Sequence, residues 1–275
     1  MKHISIQMPK TEAVAIERVT IGSSVGRLSA LVLRSSPWRS DQAPLVVLHG
    51  ISRNAEELAD HFLPEVMRTG RTIVVPHFDA KRWPKFQRPE LRQRADIALA
   101  ALLEHLGRTD PSFNKGVQIF GHSGGAQLAH RFAMLFPHKV VRLGLVAAGW
   151  YCLPNDDMAF PCGLGDPAKA AAAIWVQRKK AGLHKYLALP IDIYVGSEDT
   201  QRDETVRQTP ELDAIQGTTR IARAEAYAAA LKDAAVRLGI TPKVTFRVLP
   251  GVTHDVSLAL GQAGLAREIS DQTSR

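Results

Sequence analysis

The chain has 275 residues, of which 45% are hydrophobic and 23% charged. This composition is typical of a globular protein whose core is large enough to need no metal or disulfide for stability. The 35 basic and 27 acidic residues give a formal net charge of +8. We find no nucleic-acid-binding motif and expect no nucleic-acid partner. The densest basic stretch, residues 68–94, is most simply a solvated face, with an anion-attracting surface as the alternative.

The N-terminal sequence and the hydropathy pattern bear on location. Residues 1–19 contain no uninterrupted apolar run of the kind that a secretory signal has. No run of about 18 apolar residues predicts a transmembrane helix. Cys152 and Cys162 are close enough in sequence to pair, but a reduced state is the simpler interpretation. We therefore expect a cytoplasmic protein and leave the cysteine pairing and the oligomeric state open.

The first predicted elements are two antiparallel strands at residues 13–22 and 27–35, which alternate apolar and polar residues around a short turn. The apolar run at 44–50, PLVVLHG, predicts a strand buried on both faces. A helix follows at 52–70. Asn54 is its predicted N-cap and Glu57, three residues later, would complete a capping box.

Strands and helices then alternate along the chain. The predicted strands are 71–76, 117–121, 139–149, 191–196 and 243–251, and the predicted helices are 89–107, 124–137, 168–187, 220–238 and 256–267. Such alternation after an antiparallel start predicts an α/β fold with a mostly parallel eight-stranded sheet and helices on both faces. We expect residues 1–275 to form a single domain, with residues 150–190 as an inserted lid-like segment.

Residues 121–125, GHSGG, match the G-x-S-x-G pattern of a nucleophile elbow. A strand that turns directly into a helix projects the central hydroxyl above the sheet, and the flanking small residues let the backbones approach closely. The helix offers N–H groups and the positive end of its dipole beneath that hydroxyl. The five residues alone fit an ordinary tight turn, but their position between a predicted strand and a predicted helix makes Ser123 the candidate nucleophile.

A serine nucleophile needs a base, and the base needs an orienting acid. His254 lies in the loop after the last predicted strand and is the candidate base. Asp199 follows the strand at 191–196 and is the candidate acid, with Glu198 and Asp203 as competitors. Ligands of parallel sheets bind at the carboxyl ends of the strands, where all of these residues are expected.

The developing oxyanion needs two fixed N–H donors. The backbone N–H of Gly124, directly after the nucleophile, is the first candidate. The second is expected from the loop after the strand at 44–50, where Ile51 is the first choice and Ser52 the second. The dipeptide His49-Gly50 by itself also fits an ordinary strand-to-helix turn.

The motifs VVLHG, GHSGG, VGSED and PGVTHD together resemble the α/β-hydrolase superfamily over about residues 15–270, with the chain order serine, acid, histidine expected there. HGISRNAEE further resembles the HG-x-x-R-N-A opening of esterases akin to polyhydroxybutyrate depolymerases. The resemblance implies Ser123 as nucleophile, Asp199 as acid and His254 as base. A polar loop at 200–219 departs from the pattern and keeps Asp203 as an alternative acid.

Serine at position 123 favours the cleavage of esters, thioesters, lactones or amides. We expect a hydrolase that acts on a small-molecule carboxylic ester through an acyl-enzyme. The alternatives are a thioesterase, lactonase, amidase or polyester depolymerase, or a non-catalytic binding protein on the same fold. No cofactor or metal is expected, because the sequence has neither a P-loop nor a His/Cys/Asp cluster with ligand spacing.

The substrate pocket is predicted from aromatic residues and from residues beside the motifs. The candidates are Ser52, His122, Trp150, Tyr151, Phe160 and Trp175. The four aromatic residues suggest a pocket for an acyl or aryl group. They would equally well pin the inserted segment to the core.

Overall fold

The structure, a computed structural model, describes residues 13–36, 42–89 and 93–272. The strands form one eight-stranded sheet in the order β1-β2-β4-β3-β5-β6-β7-β8. They are β1 (Ala13–Ser23), β2 (Gly26–Ser36), β3 (Leu45–Leu48), β4 (Ile73–His77), β5 (Val117–His122), β6 (Val140–Val146), β7 (Ile191–Gly196) and β8 (Val244–Leu249). Strands β1 and β2 pair antiparallel with each other, β2 pairs antiparallel with β4, and the remaining pairs are parallel. The mostly parallel eight-stranded sheet is confirmed.

Helices cover both faces of the sheet. They are α1 (Ala55–Thr69), α2 (Ala95–Gly107), α3 (Gly124–Leu135), α4 (Ala173–Leu187), α5 (Pro210–Gln216), α6 (Arg220–Arg237) and α7 (Leu265–Asp271). Helices α1 and α7 pack together on one face, while α2, α3, α4 and α6 form a row of contacts on the other. Every residue of β3, β5 and β7 is buried. Two helical layers explain why these strands are apolar on both faces.

Several details of the helix prediction are wrong. Helix α2 begins at Ala95 and not near Pro89, which belongs instead to a loop beside the cleft described below; residues 90–92 lie outside the described part. The polar loop predicted at 200–219 contains α5, whose N-cap Thr209 accepts a hydrogen bond from the Leu212 N–H at 3.3 Å. The last predicted helix is interrupted at Gly264, whose φ of 71° separates a π-helical turn from α7.

The predicted capping box of α1 is also wrong. Asn54 occupies the N-cap position, but its side chain accepts no hydrogen bond from the backbone of the first turn. Its amide Nδ2 donates to Oε2 of Glu57 at 2.8 Å instead. With ψ at 52°, the Asn54 backbone lies outside the extended region in which an N-cap side chain reaches the N–H groups of the helix.

The segment at 150–190 connects β6 to β7 and carries α4, which packs against α3 and α6. Its role as a lid stays a prediction, as does the single domain. Both cysteines in this segment are free thiols, and burial raises the pKa of each.

The predictions about cellular location are only partly covered by the described residues. Residues 1–12 of the N-terminal stretch, in which we expect no secretory signal, lie outside them, as do residues 37–41. Within the described ranges, no helix has both the length and the apolar character needed to cross a bilayer. The cytoplasmic location stays a prediction.

Candidate active site

The candidate site lies at the carboxyl edge of the sheet. Ser123 follows β5, Asp199 follows β7 and His254 lies in the loop after β8, while Ile51 follows β3. Because β3, β5, β6, β7 and β8 are parallel neighbours, their carboxyl ends meet at one edge. Residues as far apart in sequence as Ile51 and His254, which are 203 positions apart, are thereby brought together.

The turn at Ser123 has the strained geometry that the motif predicts. Ser123 has φ 52° and ψ −112°, a combination that non-glycine residues rarely adopt, and its N–H donates to Val146 O at 2.8 Å. A Cβ at Gly121 would lie 2.5 Å from the Gly125 carbonyl carbon, and one at Gly125 would lie 2.1 Å from Leu48 O. Only glycine permits both approaches, so the elbow requires these two residues.

The side chains of Ser123, His254 and Asp199 form a hydrogen-bonded chain. Oγ of Ser123 is 3.1 Å from Nε2 of His254, and Nδ1 of His254 is 2.7 Å from Oδ2 of Asp199. The serine is 7% exposed and the aspartate 1% exposed. The carboxylate holds the proton of the imidazole on Nδ1, which leaves Nε2 free to accept the serine proton.

Backbone hydrogen bonds hold the loops of Asp199 and His254 together. The Glu198 N–H donates to Val252 O at 2.9 Å, and the Gly251 N–H donates to Oγ of Ser197 at 2.9 Å. The loops are so close that a Cβ at Gly196 would lie 2.0 Å from Val252 O. The positions of the acid and the histidine are therefore fixed by main chain as well as by their own contact.

The sequence left three candidate acids, and only Asp199 contacts the histidine. Asp203 accepts hydrogen bonds from the N–H of Thr205 at 2.8 Å and from Nη2 of Arg220 at 3.3 Å. Glu198 accepts one from Oγ of Ser197. Neither of these carboxylates reaches His254.

Arg220 is a member of the site that the sequence did not reveal. Its Nη1 donates to Oδ1 of Asp199 at 2.9 Å, so the carboxylate is shared between an arginine and a histidine. Arg220 is 1% exposed and begins α6, with Thr219 as N-cap. Its position at a helix start was visible in the sequence, but no local pattern links it to an acid 21 residues earlier.

The candidate oxyanion donors lie beside Ser123. The Gly124 N–H is at the first position of α3, where helical N–H groups have no intrahelical acceptor. A Cβ at Gly124 would lie 3.2 Å from Cγ2 of Ile51, and one at Gly50 would lie 3.5 Å from Cβ of Ser123. Within the described ranges, neither the Gly124 nor the Ile51 N–H donates to a protein acceptor. Ser52 is the second choice for the N–H donor from this loop, and its side-chain Oγ donates to Oδ1 of Asn54.

His49 fixes the loop that carries Ile51. Its Nδ1 lies 2.7 Å from Gly50 O, and its Nε2 accepts the Phe78 N–H at 3.0 Å, which assigns the proton to Nδ1. Burial is the main cause that lowers the pKa of His49 to about 4. Arg53 adds a hydrogen bond from Nη1 to Phe78 O at 2.9 Å. The neutral imidazole thus ties the Gly50–Ile51 turn to the end of β4.

His122 lies against the candidate base. The two imidazole centroids of His122 and His254 are 4.9 Å apart and tilted by 38°. Burial, followed by the charges of His254 and Arg220, lowers the pKa of His122 well below its ordinary value. A neutral His122 adds no positive charge beside His254.

Two clefts meet at Ser123. The first, of about 920 Å³, extends over α3 and the segment at 150–190 and has Ile51, Gln127 and Trp150 in its wall. The second, of about 630 Å³, contains His254 and Asp199. Ser123 and Ile51 line both. A bound substrate therefore has room on either side of the hydroxyl.

The six candidate substrate-binding residues divide among three places. Trp150, Phe160 and Trp175 line the first cleft, and Ser52 and His122 line the second. Tyr151 does not reach either cleft, contrary to the prediction. It is fully buried and its ring stacks on Tyr227 with centroids 4.2 Å apart, since the chain enters the core directly after Trp150.

Several residues of the first cleft were not predicted. They come from the loop before α2, from α3 and from the loop after Asp199, and they include Gln87, Arg88, Pro89, Gln127, Thr205 and Arg207. The only signal was the basic stretch at 68–94, to which Arg88 belongs. Within the described ranges, no group of three or more His, Cys, Asp or Glu side chains is placed to hold a metal ion.

No protein-family model matches this sequence, and no curated protein does. Solved structures do match. The poly(aspartic acid) hydrolase-1 of Sphingomonas sp. KT-1 superposes with a TM-score of 0.75 at 23% identity, covering 94% of this chain and 98% of its own. The poly(3-hydroxybutyrate) depolymerase of Bordetella parapertussis superposes with a TM-score of 0.76 at 23% identity, covering 93% of this chain and 88% of its own. An S-formylglutathione hydrolase of Agrobacterium tumefaciens superposes with a TM-score of 0.57 at 15% identity, covering 95% of each chain.

These similarities, with the observed strand order, show that the chain has the α/β-hydrolase fold. At such identities they show the fold and not the activity.

Proposed function

We propose that this protein is a serine hydrolase that cleaves carboxylic esters, with Ser123 as nucleophile, His254 as base and Asp199 as acid. The observation that carries the proposal is the continuous chain of hydrogen bonds from Oγ of Ser123 through the imidazole of His254 to the carboxylate of Asp199, at 3.1 and 2.7 Å. A non-catalytic protein has no need of this arrangement at a strained turn.

The mechanism follows from these contacts. His254 takes the proton of Ser123 as the hydroxyl attacks the ester carbonyl, and the Asp199 carboxylate stabilises the imidazolium. The N–H groups of Gly124 and Ile51 stabilise the oxyanion. The protonated His254 then donates to the leaving alcohol, and an acyl group remains on Ser123. Water that has lost a proton to His254 hydrolyses this acyl-enzyme.

The neighbouring structures support the proposal at a coarser level. Those with the α/β-hydrolase fold include proteins named as a depolymerase, a carboxylesterase and a ferulic acid esterase. The aromatic side chains of Trp150, Phe160 and Trp175 support an acyl or aryl group in the first cleft.

A fluorophosphonate probe tests the nucleophile. We expect it to label the wild type and a Ser29→Ala control, since Ser29 lies in β2 and hydrogen-bonds to Thr20 away from the site. Ser123→Ala should not be labelled. Absence of labelling in the folded wild type, or labelling that persists in Ser123→Ala, would contradict the proposal and favour a binding protein.

A series of p-nitrophenyl esters of increasing acyl length tests the reaction class. We expect turnover that depends on Ser123 and varies with chain length, because the acyl group occupies a cleft of defined shape. Cleavage of amides with no turnover of any ester would overturn the ester assignment while leaving the nucleophile intact.

A further inference from the structure

The wall of the first cleft carries an excess of unpaired positive charge. Arg88, Lys169 and Arg207 line it and are exposed, against one acidic residue, Glu204. None of the three cationic side chains forms a hydrogen bond or an ion pair with another described residue. By contrast, Arg202, which lies close to Arg207 in sequence, pairs with a carboxylate. The donors of the three cleft cations are therefore available to a ligand.

One of these cations is held in place by an aromatic ring. The guanidinium of Arg207 lies 5.2 Å from the centroid of the Trp150 ring, and that of Arg131 lies 4.7 Å from the same ring. Trp150 is only 4% exposed and lines the cleft. Stacking on an indole restrains a guanidinium without using its N–H donors. Arg207 is thus oriented at the cleft wall with its hydrogen-bonding capacity unused.

Two further cations lie buried beneath this wall. Arg131 and Lys179 are 5% and 1% exposed, and neither forms an ion pair within the described ranges. The nearby carboxylate of Asp96 is engaged by Arg94 at 2.6 Å. Nη1 of Arg131 has no hydrogen-bond partner among the described residues. Charges that no carboxylate neutralises in a low-dielectric region raise the positive potential in the cleft above them.

The second cleft has the opposite character. Its lining includes Glu57, Glu198, Asp203 and Asp255, and its buried Arg220 is neutralised by Asp199. The ionised side chains that line the two clefts therefore differ in net sign, positive in the first cleft and negative in the second. An anionic group on a substrate is attracted to the first cleft and repelled from the second.

The position of His254 decides which part of an ester enters each cleft. The leaving oxygen must take its proton from Nε2 of His254, and His254 lines the second cleft and not the first. The alcohol part accordingly lies in the second cleft. The acyl part extends into the first, towards Trp150 and Arg207.

Given the ester hydrolysis proposed above, we infer that the preferred substrates are esters whose acyl chain ends in a carboxylate, that is, half-esters of dicarboxylic acids. Arg207 and Lys169 bind the distal carboxylate, and the aromatic residues of the first cleft contact the chain between the two ends. Water cleaves the bond between acyl carbon and alkoxy oxygen, and the products are the free alcohol and the dicarboxylate. Arg207 is a specificity-determining residue in this assignment.

Matched pairs of esters test the inference. We would measure kcat/KM for mono-p-nitrophenyl suberate and for p-nitrophenyl octanoate, which have the same chain length and differ in the terminal carboxylate. The wild type should prefer the suberate, and the preference should fall as ionic strength rises. Replacing Arg207 by Gln should reduce the suberate-to-octanoate ratio by about tenfold, the effect of one charge-assisted hydrogen bond. Lys169→Gln should reduce it in the same direction.

Arg237→Gln is the matched control, because it removes the same charge from an exposed position near the end of α6. It should leave the ratio unchanged. A wild-type suberate-to-octanoate ratio of kcat/KM at or below one would overturn the inference while the esterase assignment stands. The same conclusion would follow if neither Arg207→Gln nor Lys169→Gln changed this ratio. If the wild type hydrolyses neither the suberate nor the octanoate ester, the proposed function is overturned instead.

Discussion

Arg220 and Asp199 form an ion pair at 2.9 Å in which both side chains are 1% exposed, and the other oxygen of the same carboxylate contacts His254. The pair is built from the N-terminal end of α6 and the loop after β7. The carboxylate that contacts the candidate base therefore has two side-chain partners and is almost completely shielded from solvent.

Loss of Arg220 should therefore destabilise the protein. We expect Arg220→Met to lower the free energy of unfolding by about 3–5 kcal/mol, because it leaves Asp199 buried without its cation. Arg220→Lys, which keeps the charge, should cost less. Urea unfolding measures both. The double variant Arg220→Met/Asp199→Asn should lose less than the sum of the two single changes, and strict additivity would contradict the pairing.

Asp199 and Asp203 should differ sharply in their effect on catalysis. Asp199→Asn should lower kcat by about 10³–10⁴-fold, because the asparagine no longer holds the imidazole of His254 in the productive tautomer. Asp203→Asn should stay within about tenfold of the wild type, since Asp203 contacts Arg220 and Thr205 and not His254. Steady-state hydrolysis of a p-nitrophenyl ester compares them, and equal losses would show that the acid is misassigned.

The glycines of the elbow should tolerate no side chain. In Gly125→Ala the new Cβ would lie 2.1 Å from Leu48 O, so β3 or α3 must shift. We expect a loss of about 3 kcal/mol or more in the free energy of unfolding. Gly22→Ala is the matched control, because nothing lies within 4 Å of a Cβ there, and it should change stability by less than about 0.5 kcal/mol. Similar melting temperatures for the two variants would contradict the close packing.

His49 should make stability depend on pH. Its folded-state pKa of about 4 is below the ordinary 6.5, so the unfolded chain binds a proton that the folded protein excludes as the pH falls through this range. The stability associated with neutral His49 is therefore present above pH 6.5 and lost towards pH 4. The difference between the folded-state and the ordinary pKa of His49 corresponds to about 3 kcal/mol in the free energy of unfolding.

Urea unfolding at several pH values from 7.5 to 4.5 checks this dependence. His49→Gln should be less stable than the wild type at pH 7.5 and should lose less stability on acidification. His122 and His130, whose pKa values burial also lowers, still contribute in that variant. The exposed His105→Gln control should keep the wild-type slope. A His49→Gln slope equal to that of the wild type would contradict the neutral, buried imidazole.

The sequence by itself determined the sheet and the strand-to-helix turn at Ser123. The apolar runs that become β3, β5 and β7 are continuous because both faces are covered, and GHSGG is readable because a strand, a tight turn and a helix are local events. It also placed Ser123, Asp199 and His254 after predicted strands, in the chain order serine, acid, histidine. Local signals did not locate α5, a short helix that Thr209 caps, inside a polar stretch. They also misplaced the start of α2, because Pro89 fits the first turn of a helix in sequence although α2 begins at Ala95.

Only the tertiary structure shows which candidate acid contacts His254 and that Arg220 pairs with the same carboxylate. Asp199 and Asp203 are four residues apart and chemically alike, so the choice depends on which carboxylate the β7 and β8 loops bring to His254. The same is true of the charge of the first cleft, to which Arg88, Lys169 and Arg207 come from three separate segments. Electrostatic potential depends on distance in space, and residue spacing along the chain does not fix that distance.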